Sequence, residues 1–146
     1  MRPPNRMIRN LQPSDLERVA DIWLATNIET HTFIPTLYWQ SHWEEVKREL
    51  GQAEVYVYEE EGIILGFIGL QGDYLAGIFV VSAAQSRGIG KRLLDFVKNR
   101  RKELHLGVYQ KNHRALRFYQ REGFTIVHEE LENTTGELEY LMSWCS

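Results

Sequence analysis

Residues 74–91 read YLAGIFVVSAAQSRGIGK, and this stretch decides the fold. The run from Tyr74 to Val81 is too apolar for a strand with one face in water, so it predicts a central strand covered on both faces. From Gly90 the apolar residues recur with helical spacing. The turn at residues 85–91 contains two glycines, which let a ligand approach the backbone, and it leads into helical amides that lack intrahelical partners. The stretch therefore predicts a strand, an anion-binding turn and a helix in succession.

The residues of the turn distinguish it from two other phosphate-binding motifs. A P-loop has four residues between its first glycine and a Gly-Lys pair and then Ser or Thr, whereas here Arg92 follows Lys91. A dinucleotide fingerprint requires Gly-x-Gly-x-x-Gly and a later acidic residue, and this pattern does not fit either. Arg87 and Lys91 would add positive charge to the anion site. A glycine-rich turn that enters a helix is also a common plain connection, so the turn by itself leaves both interpretations open.

Two helices are predicted before this unit, separated by an aromatic loop from Glu29 to Tyr38. Ser14 and Glu17 form a capping box at the start of the first helix. Apolar residues at spacings of four, three and four predict one stripe on a continuous second helix, formed by Trp39, Trp43, Val46 and Leu50.

Alternating apolar residues predict strands in the rest of the chain. These strands cover residues 7–10, 55–58, 63–70, 104–109, 124–130 and 137–144. A turn at residues 60–62 makes a hairpin, and Asn112 caps a last helix that Gly123 ends. The order βααβββαβαββ, without repeat or linker, indicates one α/β or α+β domain. Residues 1–6 are expected to form a disordered leader, and the domain is expected to cover residues 7–146.

Composition limits the classes of function. With 146 residues and 43% apolar content, the chain is long enough for one sizeable core. A formal net charge of −3 argues against a nucleic-acid partner. The longest apolar stretch, Tyr74 to Ala84, is half of the ~20 residues that a membrane helix needs, so no membrane partner is expected. Cys145 is the single cysteine and the histidines lack ligand spacing, which predicts a cytoplasmic protein without a bound metal.

A second motif lies on the last helix and reads Asn112-x-x-Ala115-x-x-Phe118-Tyr119-x-x-x-Gly123-Phe124. Its apolar residues fit a plain core and its asparagine fits a plain helix cap, so this motif is also ambiguous by itself. In this order and spacing, however, the two motifs resemble the GNAT superfamily of N-acetyltransferases. The resemblance extends from Met7 to Trp144, because the order of the predicted elements matches as well.

The resemblance implies a fold and a cofactor. The implied fold is a mixed, mostly antiparallel sheet of about seven strands, splayed between strands 4 and 5 and flanked by four helices. The turn would hold the pyrophosphate of acetyl-CoA through Gln85, Ser86, Arg87, Gly88, Ile89, Gly90 and Lys91. The backbone of Ile78, Phe79 and Val80 would pair with the pantetheine arm. Asn112 would hydrogen-bond the same arm, and Tyr119 would be the general acid near the sulfur.

The acceptor that the resemblance implies is an amine. The segments at residues 31–34, 38–39, 108–112 and 142–144 look like the short bacterial YiaC-type members, which are associated with peptidyl-lysine acetylation. The acceptor is therefore expected near four residues with aromatic rings, His31, Phe33, Tyr38 and Tyr74. The fifth strand contains no acid, so the general base stays open among Tyr74, His31 and Glu29.

Two other functions stay open at the level of sequence. The acceptor could be a small amine such as a polyamine instead of a protein lysine. The chain could also be an acyl-CoA-binding regulator that transfers nothing, although the presence of Tyr119 argues against that function. In each case the protein is expected to act as a monomer or a homodimer.

Overall fold

The apolar strand is the middle strand of the sheet in the computed structural model, and the glycine turn follows it at the surface. The structure describes residues 5–146, so the expected leader lies largely outside the described residues, and within them the first strand begins at Arg6. In this part of the chain the strands are β1 (Arg6–Asn10), β2 (Glu54–Glu60), β3 (Ile63–Gln71), β4 (Tyr74–Val80), β5 (Glu103–Tyr109), β6 (Thr125–Leu131) and β7 (Leu138–Cys145). The helices are α1 (Leu16–Thr30), α2 (Thr36–Ser41), α3 (Trp43–Leu50), α4 (Ile89–Lys98) and α5 (His113–Arg121).

The described strands form one sheet in the order β1-β2-β3-β4-β5-β7-β6. Neighbours are antiparallel except β4 and β5, which are parallel and in register where Tyr74 lies opposite His105. There the His105 N–H donates to the Asp73 carbonyl oxygen at 2.9 Å. Beyond this point β5 pairs along its length with β7, while β4 diverges from it. The predicted mixed sheet with a splay between the fourth and fifth strands is confirmed.

The two faces of the sheet bury separate apolar clusters. On one face α4 packs Leu93 and Val97 against the sheet, and both side chains are fully buried. On the other face α1 packs Val19 beside Phe67 of β3. Phe67 and its neighbour Ile68 belong to different clusters because successive strand residues point to opposite faces. The helices thus cover the sheet from both sides.

β4 is central in the sheet but is not covered on both faces, which corrects the prediction. Tyr74 keeps 45% of its surface exposed, and Ile78 through Val80 are half-buried. The cause is the divergence of β5, which opens a cleft along the second half of β4. The apolar character of this strand therefore serves a ligand-binding edge as well as the core.

The predicted second helix is in fact two helices, with a break at His42. In a continuous helix the His42 N–H would donate to the Tyr38 carbonyl. Here the Ser41 hydroxyl and His42 Nδ1 donate to that carbonyl at 2.9 and 2.6 Å, and the His42 N–H donates to Trp39 at 3.1 Å. Side chains that compete for a helical carbonyl in this way can interrupt a helix. The described residues therefore contain five α-helices instead of four, and the aromatic loop is shorter than predicted.

α1 begins differently from the predicted capping box of Ser14 and Glu17. A 3₁₀ turn precedes the helix, and the Asp15 carboxylate accepts the Gln12 N–H at 2.8 Å. The same carboxylate pairs with Arg9 of β1 at 2.7 Å, and this hydrogen bond lowers the pKa of Asp15 against the opposing effect of burial. Ser14 is exposed. Asp15 therefore caps the turn and ties the start of α1 to β1.

We expect Asp15→Ala to lower the free energy of unfolding by about 1–2 kcal/mol, because it removes a cap together with a charge-assisted hydrogen bond. Ser14→Ala is the matched control and is expected to change the same quantity by less than about 0.5 kcal/mol. Urea denaturation at pH 7, followed by circular dichroism, measures both variants. Equal losses in the two variants would contradict the assignment of the cap to Asp15.

Candidate active site

The divergence of β4 and β5 opens a cleft of about 620 Å³. Its walls are the second half of β4, the turn that leads into α4, and one side of α5. The cleft brings together most of the predicted cofactor and catalytic residues, namely Ile78, Val80, Gln85, Ser86, Gly88, Ile89, Gly90, Lys91, Asn112 and Tyr119. Phe79 and Arg87, which were predicted with them, are not part of its lining.

Phe79 differs from its neighbours because of strand geometry. It lies opposite Phe67 on β3, and two residues further on the Val81 N–H donates to a β3 carbonyl at 2.9 Å. Amide groups alternate sides along a strand, so the Phe79 amide also faces β3, whereas the amides of Ile78 and Val80 face the opening. The Phe79 ring stacks on Phe67 with ring centroids 5.0 Å apart. The backbone presented to the cleft is therefore that of Ile78 and Val80.

The turn into α4 is built around residues with left-handed backbone angles. Ser86 and Gly88 have φ values of 64° and 81°. Glycine adopts such angles without steric cost, whereas for serine they are unfavourable. Left-handed residues beside right-handed ones direct successive N–H groups to one concave side, which suits an anion. Since α4 begins at Ile89, the unpaired amides at its positively polarised end join the same surface.

Positive charge in the cleft comes mainly from α5. Arg87 is held by an ion pair with Glu60 of β2 at 2.7 Å. Lys91 lines the cleft, but its ammonium pairs with Glu122 at 2.9 Å. Three further arginines, which the sequence analysis did not single out, line the cleft from α5: Arg114, Arg117 and Arg121. Their spacings of three and four residues place them on one helix face, and this pattern is the signal by which they could have been found.

Arg114 links the elements that form the anion-binding turn. Its guanidinium donates to Gln85 Oε1 at 3.0 Å and to Ser86 Oγ at 3.1 Å. Gln85 in turn donates through Nε2 to the Val80 carbonyl oxygen at 3.1 Å. These bonds join α5, the turn and the end of β4. The turn is therefore held in its concave shape before any ligand arrives, which lowers the entropic cost of binding.

Asn112 caps α5 as predicted, and it also contacts His31. Its side-chain oxygen accepts the Ala115 N–H at 3.2 Å, and its amide nitrogen lies 3.1 Å from His31 Nε2. His31 Nδ1 lies 2.9 Å from the Asn27 side-chain oxygen. These partners require Nε2 to accept and Nδ1–H to donate, so the imidazole is neutral. Burial lowers the pKa of His31 to about 4, which agrees with the neutral form.

Tyr119 lies on the cleft wall with its ring almost fully buried. It is 8% exposed and packs edge-on against Phe118 and Phe124, with ring centroids 5.2 and 5.4 Å away. Burial, followed by the nearby Tyr74, raises the pKa of the Tyr119 phenol well above its ordinary value. The phenol is therefore protonated at neutral pH and able to donate a proton into the cleft.

The residues predicted near the acceptor lie on two sides of the opening. His31 and Phe33 pack with Tyr109 of β5 at ring-centroid distances of 5.0 and 5.6 Å. The Tyr38 hydroxyl lies 3.0 Å from Thr134 Oγ1 in the turn between β6 and β7. Tyr74 is at the start of β4, where this strand still pairs with β5, and it does not line the cleft. The loop between α1 and α2 and the first turn of α2 thus join the β6–β7 turn in an aromatic wall next to β5.

The three predicted candidates for a general base have different surroundings. His31 is neutral, but its acceptor nitrogen is already bonded to Asn112. Glu29 is exposed on α1. Burial raises the pKa of Tyr74, and the charge of Glu139 raises it further, so the phenol is a poor proton acceptor at neutral pH.

The donor set of the site suits an organic polyanion. Amides and guanidinium groups dominate the cleft, and no group of three His, Cys, Asp or Glu side chains within residues 5–146 is arranged to hold a metal ion.

None of the helices in the described part of the chain has the length and apolar character needed to cross a membrane.

A sheet that opens beside an anion-binding turn, with a protonated phenol in the opening, defines the class of acyl-CoA-dependent transferases. The family model described as "Acetyltransferase (GNAT) domain" matches residues 25–136, and the chain belongs to this family. The predicted family, the enzyme class N-acetyltransferase and the donor acetyl-CoA are thereby confirmed.

Two relatives with similar sequences support the same family. Peptidyl-lysine N-acetyltransferase YiaC of Escherichia coli (strain K12) is 40% identical over 140 residues, which cover 94% of this chain and 96% of the relative. Peptidyl-lysine N-acetyltransferase YjaB of Salmonella typhimurium (strain LT2) is 27% identical over 120 residues, covering 82% and 83% of the two chains.

Two solved structures establish the fold. The solution structure of apo-form YjaB from Escherichia coli has a TM-score of 0.85 at 22% identity and covers 96% of this chain and 97% of its own. The PaiA N-acetyltransferase from Thermoplasma acidophilum, in complex with coenzyme A, has a TM-score of 0.82 at 20% identity and covers 97% and 99%.

The lowered pKa of His31 predicts a loss of stability in acid. The unfolded chain takes up a proton as the pH falls through 6.5, whereas the folded chain does so only near pH 4. The contribution of neutral His31 to the free energy of unfolding is therefore complete above pH 6.5. It falls by at most about 3 kcal/mol as the pH approaches 4. Urea denaturation between pH 7.5 and 4.5 measures it, with His31→Gln as the variant that cannot titrate. We expect the His31→Gln protein to lose less stability over this range, and parallel curves would contradict the assignment.

Proposed function

We propose that this N-acetyltransferase transfers the acetyl group of acetyl-CoA to the side-chain amine of lysine in proteins. The observation that carries this proposal is the likeness to a peptidyl-lysine N-acetyltransferase, which is 40% identical over 94% of the chain. A single domain covering residues 7–146 would act in the cytoplasm, which is consistent with the lone cysteine, Cys145.

The cleft offers matched contacts for each part of the donor. The open amides and carbonyls of Ile78 and Val80 would pair with the pantetheine arm as an added half-strand would. The concave turn at residues 86–91 would receive the diphosphate, and the α5 arginines would neutralise its charge. Asn112 would hydrogen-bond the arm with the capacity that its bonds to His31 and Ala115 leave free. The Arg87 side chain is not included among the groups that would contact the diphosphate, because its guanidinium is bound to Glu60.

Tyr119 would act as the general acid. When the carbon–sulfur bond breaks, the electron pair goes to sulfur, and a hydrogen bond or proton from the phenol stabilises that charge. A model thiol has a pKa of about 8.5 and tyrosine about 10, and burial raises the pKa of Tyr119 further, so full transfer is uphill and a strong hydrogen bond would contribute much of the effect. The amide of Ile78 or Val80 would donate to the carbonyl oxygen as negative charge builds on it.

The attacking amine must lose a proton before it can react. A lysine amine has a pKa of about 10.4, so the neutral form costs about 4.6 kcal/mol at pH 7. The neighbouring protein groups must lower this cost. A small amine is the alternative acceptor, and it is an outcome of the experiment that follows.

The function is tested by release of free thiol from acetyl-CoA in the presence of lysine peptides, peptides with a free N-terminus, and polyamines. We expect release with lysine peptides, and mass spectrometry to place the acetyl group on the side chain. Release with polyamines alone would transfer the assignment to small amines. Binding of coenzyme A without release would contradict catalysis and favour a regulatory module.

Tyr119→Phe is expected to lower turnover at least tenfold, equivalent to about 1.4 kcal/mol of activation free energy, because sulfur loses its proton donor. Calorimetric affinity for coenzyme A is expected to stay within twofold. Tyr56→Phe is a matched control, since Tyr56 bonds to Glu54 and does not line the cleft. Unaltered turnover in Tyr119→Phe would exclude the phenol as the acid.

Two arginines beside the same turn are expected to differ in their effect on cofactor affinity. Arg114→Gln should weaken coenzyme A binding about fivefold to tenfold, because Arg114 both orients the turn and adds charge. Arg87→Gln also removes one positive charge, but the Arg87 side chain is bound to Glu60. The loss of coenzyme A affinity should therefore be smaller in this variant. Isothermal titration calorimetry at two salt concentrations measures both. A larger loss in Arg87→Gln would show that Arg87 leaves Glu60 and contacts the cofactor.

A further inference from the structure

A carboxylate from β7 occupies the place that β5 leaves without a side chain. A Cβ atom built on Gly107 of β5 would lie 2.9 Å from Glu139 Oε2 and 3.0 Å from its Cδ. Glu139 pairs across the ladder with Tyr109, two residues from Gly107 along β5. The absence of a side chain at Gly107 is therefore what allows the Glu139 carboxylate to lie over β5. Beyond Glu103 at its start, the sequence of β5 contains no acid, but the Glu139 carboxylate lies on its surface.

Glu139 and Tyr119 lie on opposite faces of the sheet. Leu106 and Val108 of β5 belong to the same apolar cluster as Tyr119, under α4 and α5. Gly107 lies between them, so its missing Cβ and the carboxylate over it are on the other face. That face carries the aromatic wall next to β5. An acceptor that enters there meets Glu139 before it reaches the cleft.

The opening between β4 and β5 connects these two groups through Tyr74. The Gly107 N–H donates to the Tyr74 hydroxyl. The charge of Glu139 contributes to the raised pKa of Tyr74, and Tyr74 in turn affects Tyr119. Glu139, Tyr74 and Tyr119 therefore lie close enough for Glu139 to affect the pKa of Tyr74, and for Tyr74 to affect that of Tyr119.

The groups that face Glu139 make its carboxylate a better proton acceptor. Burial raises the pKa of Glu139, and the charges of Glu132 and Glu130 raise it further. Burial raises the pKa of Glu132, but hydrogen bonds from Thr134 and Thr135 outweigh this effect and lower the pKa to about 2. Glu132 therefore stays ionised. No cation among residues 5–146 contributes to the pKa of Glu139. Tyr74 of β4 and Tyr109 of β5 are the other titratable groups that its charge reaches.

We propose that Glu139 is the general base that takes the proton from the acceptor amine, an inference that rests on the proposed function. The Glu139 carboxylate accepts one proton from the lysine ammonium as it arrives over Gly107. The neutral nitrogen then forms its bond to the carbonyl carbon, the carbon–sulfur bond breaks, and Tyr119 supplies a proton to sulfur. The second proton that nitrogen loses restores the Tyr119 phenol through water. Glu139 releases its proton to solvent, so each turnover yields the amide, the thiol and one proton.

The test compares Glu139→Gln with Glu137→Gln, which removes the same charge two residues away. Glu137 pairs with Lys111 at 3.1 Å and is the matched control. At pH 7.5 we expect kcat to fall at least tenfold in Glu139→Gln and to stay within twofold in the control. The dissociation constant for coenzyme A should not change in either variant. The rate of Glu139→Gln should then rise tenfold per pH unit toward the lysine pKa of about 10.4, because only free amine reacts.

Gly107→Ala provides a second variant that leaves Glu139 in the sequence. Its Cβ would come within 2.9 Å of the carboxylate and displace it from β5. We expect a lower kcat with unchanged coenzyme A affinity and with a melting temperature close to that of the native protein. A kcat equal to that of the native protein would show that the position over Gly107 is not used.

The outcomes separate this inference from the proposed function. If the native protein acetylates lysine and Glu139→Gln is fully active, the base is another group and only the inference fails. If both glutamine variants raise KM equally at constant kcat, these acids attract the peptide and Glu139 is not the base. If the native protein acetylates no amine, the proposed function fails first, and the assignment of a base fails with it.

Discussion

The site depends on the way in which β4 and β5 meet beside Asp73 and then diverge. Parallel strands normally pair along their length, and an unpaired buried edge leaves amides and carbonyls that cost free energy. Here β7 pairs with one edge of β5, so beyond the Tyr74–His105 pair the facing edge of β5 lacks a strand partner, as does the edge of β4. Ile78 and Val80 present that edge to a cleft that water or a ligand can fill. The cleft is thus an incomplete sheet, and a donor arm of extended shape would complete it.

The opening also separates charge. The turn amides and the arginines of α5 make one end of it positive, whereas Glu130, Glu132 and Glu139 make the opposite face negative. The formal net charge of −3 hides this separation, because it sums over both faces. An anionic donor and a cationic acceptor are therefore attracted to different sides of one sheet. They meet where the strands diverge, so neither has to displace the other.

Local spacing predicted the features that depend on neighbouring residues. The turn at residues 85–91 and the cap at Asn112 could be found because all of their parts lie within one or two turns of chain. The helix break at His42 could not, since it results from side chains competing for one carbonyl. Glu139 could not be found either, because its position requires the pairing of β7 with β5 and the empty space over Gly107. The resemblance indicated where the cofactor is expected, whereas tertiary structure was needed to propose where the acceptor binds.

One physical factor sets the opposite roles of Tyr119 and Glu139. Partial removal from water disfavours the charged form of both groups, so the pKa of each is raised. The ordinary pKa of a phenol, about 10, already lies above neutral pH, so raising it keeps Tyr119 protonated but weakens it as an acid, and Tyr119 would stabilise the sulfur mainly through a hydrogen bond. The ordinary pKa of a glutamate, about 4.3, lies below neutral pH, so raising it strengthens the carboxylate as a proton acceptor. The same walls that exclude water from the opening can therefore make an acid on one face and a base on the other.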